Sequence, residues 1–154
     1  MTIYEQAQAL QPYLAELQRE FHEHPEPSRG EKATSARVLR ELEKIGGWSS
    51  RTNVYGYGIL ADLQGGKPGK RVALRADMDA WQITEESGLP YASRTPGLMH
   101  ACGHDNHITM LLGAAKLLAQ NKADIPGSVR LIFQPSEELS PHGAAKGMIA
   151  AGAM

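Results

Sequence analysis

The segment Met99–His107 reads MHACGHDNH and gathers the chain's one cysteine, three of its six histidines and an aspartate. Cys102 and His104 stand two apart, and Gly103 between them lets the backbone bend tightly enough for both side chains to reach one or two nearby cations. Thiolate with imidazole suits zinc, cobalt, nickel or manganese better than calcium or magnesium. A lone cysteine is ordinarily a small buried hydrophobe, but the flanking His100, His104 and His107 turn the reading of Cys102 toward a metal ligand. A redox role is the weaker alternative, because no second cysteine is present to resolve a disulfide. Asp105 reads first as a helix N-cap, and His107 as a polar residue of the first helical turn.

Two acidic clusters accompany this segment. Glu137 and Glu138 are adjacent carboxylates, which repel unless a cation or a shared proton lies between them. On a surface such a pair is simply solvated. Following a buried strand, one can bind metal while the other accepts a proton from metal-acidified water. Asp77 and Asp79 face one side of an extended strand, where either can orient a histidine ligand, although strand-end turn residues explain Asp77 nearly as well. FHEHPE, residues 21–26, has metal-like composition but falls at a helix end, where the dipole favours histidine, so His22 and His24 read as structural.

The elements that position these clusters follow from periodicity. Ile3, Ala7, Leu10, Leu14, Leu17 and Phe21 form one apolar helical stripe that stops near His24-Pro25. Ser28-Arg29-Gly30-Glu31 fits a capping box for a helix that buries Val38, Leu42 and Ile45 and ends at Gly46-Gly47. Strands are predicted over residues 57–63 and 71–78, with the turn-rich residues 64–70 joining them as a hairpin. Residues 84–97 read as irregular. A helix from His104 to about Asn121 buries Ile108, Leu111, Leu112, Ala115 and Leu118, with His104 on the same side. A strand over 127–134, a polar loop and a helix from about Gly143 complete the chain. The alternation predicts an α/β sandwich with a mixed, largely parallel sheet. Asp77, Asp79, Glu137, Glu138 and the CGHD segment then share the strand-end edge where such folds bind ligands.

At 154 residues the chain suits one domain, and 42% hydrophobic with 21% charged residues is ordinary globular composition. A net charge of −1 advertises no nucleic-acid surface. One cysteine excludes an internal disulfide framework. No basic-then-apolar leader opens the chain, and no run approaches the roughly 18 apolar residues of a membrane span, so a cytoplasmic protein without membrane partners is expected.

FHEHPEPSRGEKATSARVLRELEKIG, LRADMDA, PGLMHACGHDNHITMLLGAAKLLA, GSVRLIFQPSEE and GAAKGMIAAGAM, in that order and spacing, resemble the amidohydrolase branch of the co-catalytic metallopeptidases. That branch includes hippurate hydrolase and the N-acyl-amino-acid amidohydrolases. The likeness runs from Phe21 to the last residue. It implies a zinc-peptidase-like three-layer α/β/α sandwich and two divalent ions (manganese, zinc, cobalt or nickel). Cys102, His104 and Glu138 are implied as ligands, Glu137 as general base and Asp79 as the carboxylate behind them. The implied reaction is hydrolysis of an N-acyl amino acid, a small-molecule substrate. Trp81-Gln82 stands where the family usually has leucine and proline. Family members run to more than twice this length and draw two further histidines from later segments; His142 matches neither. Residues 1–154 are therefore expected to be the N-terminal part of the catalytic domain, inactive alone, without the lid and dimerisation domain that would make the parent a homodimer. The alternative is a non-catalytic fragment that binds a metal or a partner.

Overall fold

In the computed structural model, which describes residues 1–139, 141 and 143–154, the opening apolar stripe forms two helices rather than one. α1 (Ile3–Ala9) ends at Leu10, and α2 (Gln11–Glu23) starts with Pro12 in its first turn. A proline there gives up no hydrogen bond, whereas within one continuous helix its missing N–H would break the ladder. His142 lies outside the described residues.

α3 (Lys32–Ile45) ends at Gly46 as its sequence suggests, but the capping box is replaced. Glu26 caps the helix instead: its carboxylate accepts the amides of Ala33 and Thr34 at 3.0 and 2.7 Å. Ser28 and Glu31 are thereby released to reach elsewhere.

The sheet contains β1 (Ser49–Val54), β2 (Gly58–Gln64), β3 (Lys67–Asp77) and β4 (Pro126–Gln134), in the order β1-β2-β4-β3. β3 and β4 are parallel, and β2 is antiparallel to both β1 and β4, so three of the four strands run one way. The expected hairpin between β2 and β3 does not form; β4 lies between them. Arg130 of β4 clasps Asp62 of β2 through two bonds of 2.8 and 2.7 Å. The connector passes against the chain entering β4, where a Cβ on Gly65 would lie 2.2 Å from the Ile125 carbonyl oxygen. Its glycines thus serve a close crossing rather than a tight turn. β1, SSRTNV, carries too little apolar alternation to announce itself; it is an edge strand exposed along most of its length.

Alternation along β2 and β4 divides the core. Ile59, Ala61, Val129, Leu131 and Phe133 face α2, α3 and α4 (His104–Gln120). Leu60 and Ile132 face the other way, onto Met148 of α5 (Ala145–Ala150). Helices on both faces of a mixed sheet make the expected α/β/α arrangement. No described helix is long and apolar enough to cross a membrane.

Candidate metal centre

β3 and β4 run side by side with Asp77 opposite Gln134, so both open at the same edge of the sheet. The Met78 amide donates to the Gln134 carbonyl at 2.9 Å, extending the pairing one residue further. Asp79 continues from the first strand and Glu137-Glu138 from the second, while α4 begins there with His104. One donor atom each from Cys102, His104 and Glu138 lies within 4.8 Å of the other two. Cys102 is exposed, which removes the buried-hydrophobe reading. Contact with the Glu138 carboxylate, followed by burial, pushes its thiol pKa up. A cation between thiolate and carboxylate would turn that repulsion into shared coordination.

Glu138 Oε1 is buried, has no hydrogen-bond partner among the described residues, and lies 3.6 Å from His104 Nε2. A buried, unpartnered carboxylate oxygen is costly without a cation. Glu137 is more open: its side chain is 39% exposed, with Oε2 3.8 Å from the same His104 nitrogen. The two adjacent glutamates are therefore not equivalent.

Asp79 organises both halves of the cluster. His104 Nδ1 lies 2.8 Å from the Asp79 backbone carbonyl, which can only accept, so Nδ1 carries the proton and Nε2 faces the glutamates. The Asp79 carboxylate accepts the amides of Glu137 (2.9 Å) and Glu138 (3.0 Å) and the Ser28 hydroxyl (2.5 Å). Burial alone would raise its pKa, but bonds from His104, Ser28 and these amides outweigh burial and hold it down at about 2. Burial likewise opposes charge on His104, yet the Asp79 carboxylate and carbonyl push its pKa up to about 9.

Several residues differ from their sequence reading. Asp105 does not cap α4; Gly103 occupies the cap position, with φ 83°. The Asp105 carboxylate turns to α2, accepting from Gln18 at 2.6 Å and pairing with His22 at 2.7 Å. His22 also meets Glu85 at 3.2 Å, tying the irregular segment to α2. Burial disfavours its charge, but these carboxylates prevail and raise its pKa. His24 bonds the Glu20 carbonyl at 2.9 Å, as expected of a histidine at a helix end. Asp77 pairs with Arg75, and together with His104 and the half-exposed His107 it forms a second group of close donor atoms. His100 is buried with both ring nitrogens unpartnered among the described residues, and burial pulls its pKa down to about 4.

Sequence reasoning missed Ser28, Glu31 and Ser136 as parts of the site. Their signal was present but ambiguous, since serine followed three residues later by glutamate looks like a capping box. Only the contacts with Asp79 and with the loop after β4 reveal their other use.

Residues 73–154 match peptidase family M20/M25/M40. The chain is 46% identical over 145 residues to thermostable carboxypeptidase 2 of Saccharolobus solfataricus, covering 94% of this chain and 37% of that protein. It is 46% identical over 140 residues to the N-acyl-L-amino acid amidohydrolase of Geobacillus stearothermophilus, covering 88% and 36%. Among solved structures it superimposes on a dinuclear metal-binding peptidase of family M20 from Bacillus subtilis with a TM-score of 0.87, at 40% identity, covering 94% and 40%. The chain thus spans little more than a third of the length of these relatives.

Proposed function

The chain belongs to peptidase family M20/M25/M40, and on that premise we propose that residues 1–154 are the N-terminal part of the catalytic domain of a metal-dependent amidohydrolase. The reaction is hydrolysis of the amide bond of an N-acyl amino acid, in line with the relative from Geobacillus stearothermophilus that bears that activity in its name. The observation that carries this reading is the convergence of Cys102, His104 and Glu138, with the orphaned Glu138 Oε1 beside the more open Glu137.

In this reading Cys102, His104 and Glu138 hold metal, within a centre of two divalent ions drawn from manganese, zinc, cobalt or nickel. Such ions polarise an amide carbonyl and make water acidic enough to attack near neutral pH. Glu137, placed beside the ligands and open to solvent, takes the proton from the attacking water and hands it to the leaving amine. Asp79 fixes the His104 tautomer and the backbone on which both glutamates sit. Three ligands are few for two ions, so the isolated chain is inactive in this reading and the remaining ligands belong to a longer parent.

The test is elemental analysis of this chain and of Cys102→Ala, with hippurate hydrolysis assayed for this chain and for a longer parent, with and without manganese. Metal content should fall on loss of Cys102, and only the parent should turn over substrate. Unchanged metal content in Cys102→Ala would remove the ligand assignment, and full turnover by the short chain would remove the view that its site is incomplete.

A further inference from the structure

Three consecutive amides after β4 each donate to a buried carboxylate. Those of Glu137 and Glu138 go to Asp79, and that of Ser136 goes to Glu31 Oε1 at 2.6 Å. Glu31 is completely buried, and the Ser136 hydroxyl donates to the same oxygen at 3.2 Å. The Arg29 amide in turn donates to the Ser136 hydroxyl oxygen at 2.9 Å. These bonds hold Ser136 at φ 53°, a left-handed conformation that a residue with a Cβ adopts only when its surroundings impose it. That reversal aims the next two residues back at Asp79.

We propose that Glu31 is a positioning residue: by capturing the Ser136 amide it fixes the turn that sets the Glu137 and Glu138 carboxylates opposite His104. Among the described residues no hydrogen bond joins the Glu31 side chain to Cys102, His104 or Glu138; its bonds go to Ser136. Its effect travels through one strained residue, because extended backbone at position 136 would carry the following amides away from Asp79. The metal-related part of this inference rests on the proposed ligand role of Glu138; the positioning part does not.

The test uses this chain with Glu31→Ala, Glu31→Asp and Glu31→Gln. Glu31→Asp is one methylene too short to reach the Ser136 amide, and it keeps the charge should the alanine variant fail to fold. Glu31→Gln retains an acceptor oxygen. Amide hydrogen exchange at residues 136–138, read without metal, should accelerate about tenfold or more in Glu31→Asp and stay near wild type in Glu31→Gln. Cobalt(II) titration, followed by the thiolate-to-cobalt absorption of Cys102, should show about 10- to 100-fold weaker binding in Glu31→Asp, restored by glutamine. Unchanged exchange at residues 137 and 138 in Glu31→Asp would overturn the inference, as would equal losses in the aspartate and glutamine variants. If the wild-type chain takes up no cobalt, the metal reading fails and the exchange data alone decide the role of Glu31.

Discussion

The Asp79 carboxylate and the Glu138 amide lie 3.0 Å apart, which ties the end of β3 to the loop after β4 through a side chain rather than through the sheet. The same carboxylate sits against His104, so one aspartate registers candidate ligands drawn from two different segments.

Asp79→Asn tests that coupling. The amide group would leave an N–H facing a backbone N–H and remove the negative charge behind His104. The fold should survive with a loss of about 1–3 kcal/mol, since buried donors lose an acceptor. Cobalt(II) affinity should fall about 10- to 100-fold. Urea unfolding and metal titration of the same sample separate the two effects, and wild-type affinity in the variant would show that Asp79 does not organise the ligands.

Stability toward acid should depend on Glu41, well away from this centre. Burial works against its charge, but hydrogen bonds from Tyr13 at 2.7 Å and from Arg37 outweigh burial and hold its pKa below the usual 4.5. As pH falls, the unfolded chain therefore takes up this proton before the folded one does. The contribution of Glu41 is complete above about pH 4.5 and is lost as pH drops through the lower folded-state value. Urea midpoints of wild type and Glu41→Gln should differ by a constant amount between pH 6 and 7 and converge as the pH is taken below the folded-state value. A difference that grows on acidification would contradict this assignment.

Gly127→Ala probes the crossing that places β4 between β2 and β3. Gly127 has φ 77°, and a Cβ there would lie 1.9 Å from the Lys70 carbonyl oxygen. Left-handed strain and overpacking together should cost roughly 2–4 kcal/mol. Denaturant unfolding measures this directly. A loss below about 0.5 kcal/mol, the range of ordinary surface substitutions, would mean that the crossing yields readily.

Much of this protein is legible along the chain. Ile108, Leu112 and Ala115 mark the buried face of α4, and His104 emerges on that face as its spacing requires. The strand that leads to Glu137-Glu138 is visible because Leu131 and Phe133 alternate with residues of the other face. β1 escaped because an exposed edge strand does not need an apolar pattern. The break at Leu10 escaped because the apolar stripe is continuous and only Pro12 interrupts it.

By itself the sequence determined which residue types could bind a divalent ion, the helices and most strands that carry them, and their common edge. Those follow from local periodicity and from the side-chain chemistry of Cys102, His104, Glu137 and Glu138. Tertiary structure alone decided that β4 inserts between β2 and β3, that Asp105 serves His22 rather than its own helix, that Ser28 serves Asp79, and that Glu31 serves the glutamate loop. The reason is physical. A carboxylate or hydroxyl can satisfy any donor or acceptor within reach, and which one comes within reach is set by chain segments as many as 107 residues apart.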